Sequence, residues 1–554
     1  MTSNDNIVFL SGDKDSSIVV MDKCDYVTKV NSLLDEGLIT GKYIRTTDST
    51  EKDLQNFQSF LRKNFSKHKD YAKMRPISNQ PARLFATAKT HKFDNFEDIN
   101  KEQLKLRPIV DQTGTHTHAA SKVLSDYLQP LANNEYVIKN TLTFADSIKS
   151  INLEDNEELV SYDVESLFTS IPVDETIEYI CDEIYVHKKI TPFCPNRLIF
   201  KRLLQRLIKD STFSFNGALY KQIDGCSMGG PLSVVISGVF MAKMEKDKVK
   251  PSKPSFYKRY IDDIISKRVI SQSDDLYDAL NSYHPNIKLT AVPNPTEFLD
   301  TSLVISNGLI STKVFTKKGK LPTPWKSRVP IRYKRNAISG DLHRSKKISS
   351  DFASEITRIK SKYINAGFPI KFIQSVINDF HESQATDTNM IIPNWLFEER
   401  KTITIKLPYC QTNESESKRF LSNLEILTNY KIKFMIIWQT KTIRSIFRLK
   451  DKINHKSCVV YEGTCTCGIT YTGETERLAT LRWKEHEDPR KQSEPSKHLY
   501  NFPGHRFTWR VLSPAPKLSI KRKILEAFYI SKYKPKLNEQ VKSNTLVLFR
   551  HGVT

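Results

Sequence analysis

Aromatic and β-branched residues flank a charged break in the run from Phe256 to Ile265, a pattern that predicts a β-hairpin with Asp262 and Asp263 at its tip. Upstream, the stretch from Glu157 ends in an apolar, strand-like run through Val160, which leaves Asp163 at a strand terminus. The apolar run Leu232 to Ala242 predicts a buried helix behind the glycine-rich stretch that precedes it. Thr402 to Leu407 alternates as a short strand, and Gln411 to Ser417 reads as a polar loop. Near the C-terminus, Cys458 to Tyr461 and Tyr471 to Gly473 predict two strands of a hairpin, followed by helices over Thr480–His486 and Ile524–Ile530. The segment from about 310 to 395 is basic and helix-rich, and the N-terminal third is mixed. These elements make an α+β chain, and no apolar run approaches bilayer length.

Composition narrows the partners. The 554 residues carry 85 Lys plus Arg against 62 Asp plus Glu, a net charge of +23, which suits a polyanion such as nucleic acid. No N-terminal stretch joins a basic end to an apolar centre and a cleavage site, so secretion is not expected. The eight cysteines are scattered except around Cys458, Cys465 and Cys467, which favours reduced thiols and a metal role for the close pair.

Candidate chemistry starts at the hairpin tip. Two neighbouring carboxylates repel unless a cation neutralises them, and hard divalent cations take carboxylate oxygens. Asp163 in Ser161-Tyr162-Asp163-Val164 offers a third acid, although a helix-capping role is the alternative. Between these sites, Gly225, Gly229, Gly230 and Pro231 form a loop that allows close backbone approach to a ligand.

In this order, Asp163, the Gly229-Gly230-Pro231 loop and Tyr260-Ile261-Asp262-Asp263 resemble the successive palm motifs of reverse transcriptases. The surrounding words are similar to those of the Penelope-like retroelements: Arg83 to Lys92, Leu106 to Val110, Asp163 to Pro172, Phe215 to Gly225, His284 to Thr290 and Glu297 to Asp300. The resemblance runs from about residue 14 to the C-terminus. It implies a right-hand polymerase in which Asp163, Asp262 and Asp263 position two magnesium ions. Lys89 and Arg107 match finger positions that hold the triphosphate, while Gly229 and Gly230 lie under the template base and primer end. For Phe168, five positions after Asp163, the resemblance implies a side chain that crowds a 2′-hydroxyl and so selects deoxynucleotides, a plain core Phe being the alternative. Lys288 is a weaker candidate for protonating pyrophosphate. Lys317 to Lys320, Lys334, Arg335 and His343 to Lys347 fall in a thumb that grips duplex, or are merely solvated charges.

The last hundred residues resemble the GIY-YIG endonucleases, with Val459 and Val460 standing where Gly and Ile are usual. The resemblance makes Tyr461 the base or water-orienting group and places Tyr471 in the same site. It assigns Arg482 to the phosphate charge, Glu526 to one magnesium ion, Asn538 to the fold and His486 to assistance one turn beyond Arg482. Cys465, Cys467, His498 and His505 suit a tetrahedral structural zinc site, an arrangement that the Penelope-like endonucleases share. Cys458 reads as core.

The expected organisation is an N-terminal and fingers region (1–155), a palm (156–305), a thumb-like region (306–395), a connector (396–452) and the nuclease with its embedded zinc site (453–554). The implied activity is nicking of target DNA followed by copying of a template RNA into product DNA from the exposed 3′-hydroxyl. Deoxynucleoside triphosphates are the substrates, and a nuclear location follows from the job. A host-adopted nucleic-acid-binding protein and a telomerase-like extender of chromosome ends are the alternatives.

Overall fold

The computed structural model describes residues 6–14, 17–46, 50–76, 81–93, 99–100, 102–209, 212–270, 274–316, 322–386, 401–408, 414–427, 432–439, 457–477, 479–515 and 519–538. The expected boundary at Pro393-Asn394-Trp395, the basic run Lys317 to Lys320, and Gln411 to Asn413 lie outside the described residues.

The hairpin forms where its residue pattern places it. Strands Tyr257–Tyr260 and Asp263–Val269 pair antiparallel, with Ile261 and Asp262 in the turn. They extend a four-stranded sheet completed by Glu157–Val164 and Leu289–Pro293. The apolar faces of helices His118–Ala132, Val173–Tyr185 and Ser233–Met244 contribute to one continuous core with the inward residues of this sheet, among them Val160, Tyr162 and Ile264. The apolar run after the glycine loop is that last helix, and it continues through a π-helical turn, Glu245–Val249.

A second, five-stranded sheet takes Tyr43–Thr46, Ala218–Gln222, Thr212–Phe215, Ala82–Ala88 and Leu106–Asp111, in that order. Two of these strands come from inside the span 156–305, so the sheet is closed by chain that returns after Asp163. It has its own core around Tyr26, Leu84 and Phe213. A boundary at 305 would cut the small sheet Glu297–Phe298, Thr301–Ser306 and Leu309–Val314, and the helical unit begins instead at Ile331–Ile348. Helices Phe352–Asn365 and Ile370–Thr386 pack with it around Ile338, Ile359 and Phe380.

Farther on, Lys401–Pro408 and Ile432–Gln439 form a parallel pair joined by helix Glu414–Leu427. Residues 414–417 are therefore the first turn of a helix rather than loop. The C-terminal unit is a three-stranded sheet ordered Thr470–Thr475, Val459–Cys465, Phe507–Pro514, with helices Ala479–Glu487, Glu494–Asn501 and Ser519–Tyr533. No helix among the described residues is long and apolar enough to cross a membrane.

Candidate active sites

Strand pairing alone assembles the first site. Asp263 is the register partner of Asp163, and Thr290 flanks Asp163 on the other side. Directly opposed residues share a face with Cα atoms about 4.5–5.5 Å apart. Asp262, in the turn, joins them at the wall of a cleft of about 700 Å³. Burial and then the charge of Asp262 hold the Asp163 carboxyl above the usual range, while Lys14 and Arg107 pull it back.

The same cleft is lined by Lys14, Lys89, Arg107 and Phe168. Burial, and then the guanidinium of Arg107, depress the Lys89 ammonium. Arg107 Nε meets Asp13 Oδ2 at 3.1 Å, so a resident carboxylate holds it in place. Phe168 follows Ser166, whose φ of +51° is left-handed, and sits in the short helix Leu167–Ser170.

Gly229 and Gly230 do not line the cleft, whereas Met228 does. A Cβ on Gly229, at φ +116°, would stand 2.6 Å from the Val110 carbonyl oxygen. One on Gly225, at φ +70°, would stand 2.6 Å from the Thr169 oxygen. Val110 N–H donates to Met228 O at 2.8 Å and Cys226 N–H donates to Phe168 O at 2.6 Å. The loop thus rivets the strand bearing Arg107 to the short helix bearing Phe168, and close backbone accounts for Gly225 and Gly229, while a Cβ on Gly230 would meet the side chains of Gln112 and Ser233. Lys288 is exposed and is absent from the cleft lining; its backbone carbonyl accepts from Glu165 N–H at 2.8 Å.

Sequence reasoning missed what lies behind the hairpin tip. Arg259 and Glu245 form an ion pair with side chains 2% and 0% exposed, Nε to Oε1 at 2.5 Å and Nη2 to Oε2 at 3.1 Å. Asn134 and Tyr257 donate to the same carboxylate at 2.6 and 3.3 Å. Arg259 Nη1 also donates to the Ile261 carbonyl at 3.2 Å. Ile261 carries φ +58°, an outlier for a β-branched residue, and it immediately precedes Asp262. The arginine in Phe256-Tyr257-Lys258-Arg259 was the available signal: an inward-facing charge on a strand demands a partner.

The second site is built on the C-terminal sheet. Tyr461 is fully buried and opposes Gly473 across the strands, where a Cβ would come within 2.6 Å of the Tyr461 hydroxyl. That hydroxyl lies 2.8 Å from His486 Nε2, and His486 Nδ1 lies 2.8 Å from Ser493 Oγ. Burial lowers the His486 pKa to about 3, so the ring is neutral near pH 7. The Tyr471 ring stands 5.0 Å from that of His486, and Trp509 stacks on the imidazole at 5.3 Å. Arg482 pairs with Glu485 at 2.9 Å and hydrogen-bonds Tyr461. Burial raises Tyr471 to about 12. Glu526, on the facing helix, is pushed up to about 7 by burial and by the charge of Glu474. Asn538 Oδ1 accepts from Thr472 N–H at 2.8 Å and its Nδ2 donates to Thr472 O at 2.7 Å, tying the chain beyond that helix to the sheet. Ser493, Trp509 and Glu474 were not foreseen; a polar or aromatic residue without a motif partner gives no signal in one sequence.

Cys465, Cys467, His498 and His505 converge, with one donor atom from each within 4.8 Å of all the others. Cys465 Sγ lies 3.3 Å from His498 Nε2 and 3.6 Å from His505 Nδ1, and Cys467 Sγ lies 3.5 Å from His498 Nε2. A tetrahedral ion with bonds of about 2.0–2.3 Å needs ligand separations of about 3.3–3.8 Å. Cys458 is buried immediately before strand Val459–Cys465, with φ +50°.

A family model described as the animal helix-turn-helix domain matches residues 322–378, which span helices Ile331–Ile348 and Phe352–Asn365. No curated protein matches the chain. Among solved structures, the chain is similar to a telomerase from Candida albicans in complex with a fragment of telomeric RNA, with a TM-score of 0.43 at 9% identity over 70% of this chain and 68% of that one. It is similar to the apo telomerase from Candida tropicalis, with a TM-score of 0.39 at 10% identity over 80% and 71%. It is also similar to the Sicinivirus RNA-dependent RNA polymerase, with a TM-score of 0.32 at 12% identity over 54% and 68%. Likenesses this loose carry no weight for function, which rests on the site geometry.

Proposed function

We propose that the chain is an RNA-directed DNA polymerase coupled to a DNA endonuclease, as in the Penelope-like retroelements its motifs resemble. The observation that carries this reading is the pairing of Asp163 with Asp263, beside Asp262, in a cleft that also holds Lys89, Arg107 and Phe168. The clustered carboxylates fit hard divalent cations, since the charge of one already raises another. Bound magnesium would supply charge stabilisation at both the attacking and the leaving oxygen of phosphoryl transfer. Asp163, Asp262 and Asp263 would hold it. Arg107, oriented by Asp13, and Lys89 would bind the triphosphate. Phe168, pinned through its backbone by the glycine loop, would exclude a ribose 2′-hydroxyl. The helices from Ile331 to Thr386 would lie along the template–primer duplex, and the match to a helix-turn-helix family supports a compact helical unit there.

In the second site Glu526 would hold one magnesium ion, and Arg482 would face the scissile phosphate. His486 is neutral, so one ring nitrogen accepts. In the tautomer with the proton on Nδ1, that N–H would donate to Ser493 and Nε2 would accept from the Tyr461 hydroxyl, leaving the hydroxyl oxygen as an acceptor for a water. The two thiolates and two imidazoles fit zinc by donor type and spacing, and zinc there would brace the loop between the tyrosine strands. Nicking followed by extension of the exposed 3′-hydroxyl joins the two sites in one reaction sequence, in the nucleus.

The test is a pair of assays on one protein. Asp262→Asn should abolish magnesium-dependent extension of a DNA primer on RNA while nicking persists, and Glu526→Ala should do the reverse. Loss of both activities from either change in a folded protein would break the two-site assignment. Extension by a protein already carrying Asp262→Asn would remove the polymerase reading.

A further inference from the structure

A second cavity lies away from both sites, and its lining shares no residue with the cleft. It is a groove of about 550 Å³ between helix Thr50–Phe65 and helix Arg197–Lys209. Each helix gives one face to the core, through Phe57, Leu61 and Phe65 on the first and Phe200, Leu203 and Leu207 on the second. The stripes beside those faces are different. Ser59, Phe60, Lys63 and Asn64 repeat at three- and four-residue spacing on the first helix. Ile199, Arg202, Arg206 and Lys209 do so on the second. Four cations therefore line the groove, and no carboxylate does.

Their pairing separates them. Lys209 is neutralised by Asp174 at 2.5 Å. Lys63, Arg202 and Arg206 have no carboxylate partner among the described residues. The Arg206 guanidinium stands 4.9 Å from the centroid of the Phe60 ring, so an aromatic face forms part of the floor and orients a cation above it. Ile199 extends the apolar floor, and the amides of Asn64 and Gln205 lie alongside.

Unneutralised cations along a groove with an aromatic and aliphatic floor and amide donors and acceptors are the elements that hold an unstacked nucleic-acid strand. Phosphates meet the cations, a base meets the floor, and the amides reach a base edge. We propose that this groove binds a single strand of nucleic acid through its phosphodiester backbone, as a site separate from the catalytic cleft. Duplex is a poor occupant, because a base can reach the floor between the helices only when it is unstacked. RNA template and DNA strand share the phosphate chemistry that the groove recognises, so the experiment separates them.

The experiment measures binding by full-length protein to labelled 20-nucleotide single strands, one RNA and one DNA, across a salt series by fluorescence anisotropy. On a single strand, the slope of log affinity against log salt shrinks by about 0.7 for each phosphate that a removed cation no longer neutralises. The double variant Arg202→Ala, Arg206→Ala should lower the slope by about 1.4. Lys250→Ala, an exposed change on another element, should leave the slope at the parental value. A fall with RNA alone assigns the groove to template, a fall with DNA alone assigns it to the DNA strand, and an equal fall makes it a backbone site for either. A parental slope in the double variant with both strands overturns the proposal. Both arginines are at the surface of a helix whose core face is untouched, and circular dichroism checks that the variant is folded. Since binding needs no catalysis, failure here leaves the polymerase reading standing, and failure of extension leaves this site standing.

Discussion

The hairpin-tip cleft and the C-terminal sheet are two ways of holding carboxylates in a site. In the cleft, Asp163 on one strand sits close to the adjacent pair Asp262 and Asp263 at the tip of a hairpin, on a solvent-facing wall. Their mutual repulsion is the design problem, and counter-charge answers it: Lys14 and Arg107 in front, and behind the tip a buried arginine that holds the turn. In the C-terminal site Glu526, its pKa raised by burial and by Glu474, stands near fully and half-buried tyrosines and a neutral histidine. There desolvation is the design problem, and stacked aromatics and a Cys–His knot answer it. One site is held in place by charge and the other by packing, so perturbations of charge and of packing should act on them unequally.

The sharpest break comes from the knot. Apparent zinc affinities of small sites amount to about 10–16 kcal/mol, all of it coupled to folding. Cys465→Ala should remove zinc from the purified protein, as read by elemental analysis, and unfold the C-terminal unit. Nicking should fall at least 100-fold, the scale of losing a preorganised site, while extension stays within about twofold. Unchanged metal content would refute the zinc assignment.

The mirror perturbation is Arg259→Ala. It leaves Glu245 buried without its partner, at a cost of about 3–5 kcal/mol. The portion bearing the hairpin should melt earlier in calorimetry, with the C-terminal transition unmoved. Replacing both members, Arg259→Met with Glu245→Leu, should restore much of the stability because no unpaired charge remains. Extension should stay impaired, since the Ile261 carbonyl has lost its donor next to Asp262. Full recovery of extension together with stability would show that the pair has no positioning role.

What was legible in the sequence follows the same division. The hairpin, Asp163 at the end of its strand and the buried helix after Gly230 were readable because each depends on local pattern and on motifs a few residues long. The grouping of Cys465, Cys467, His498 and His505 was readable instead through the family resemblance, since 31 positions separate Cys467 from His498. Asp13 holding Arg107, Glu245 holding Arg259 and Ser493 against His486 were not, because each partner stands on another element at a separation that no periodicity fixes. At Gly229 and Gly230 the sequence pointed to close approach by a ligand but could not foresee that the Val110 carbonyl crowds the first and the Gln112 and Ser233 side chains the second. The five-stranded sheet escaped because its strands come from both sides of Asp163.

A smaller effect sharpens the cleft. Phe168 is half-buried, with its backbone tied to Cys226, so truncation opens space without moving the chain. Phe168→Ala should reduce discrimination against ribonucleotides by about 10–200-fold, the scale of a steric pocket contact, in single-nucleotide extension assays. Equal discrimination in parent and variant would remove Phe168 from the gate.

The smallest effect tests packing in the C-terminal site through pH. His486 is depressed from its ordinary value near 6.5 to about 3 in the fold, chiefly by burial. Below pH 6.5 the unfolded chain therefore binds a proton that the folded chain refuses. The stability associated with neutral His486 is fully present above pH 6.5 and is lost as pH falls toward 3. In that window the loss approaches about 1.4 kcal/mol per pH unit for this one group. Carboxylates titrate over part of the same range, so the comparison must be made against a variant lacking the imidazole. His486→Gln keeps a hydrogen-bonding side chain toward Tyr461 and Ser493 but does not titrate. The parent should lose more stability than His486→Gln between pH 7 and pH 5 in the C-terminal transition, with the transition of the hairpin-bearing portion responding alike in both. Parallel curves for parent and variant would mean that the imidazole is reached by water in the fold, and that aromatic packing does not isolate the second site as the comparison with the cleft requires.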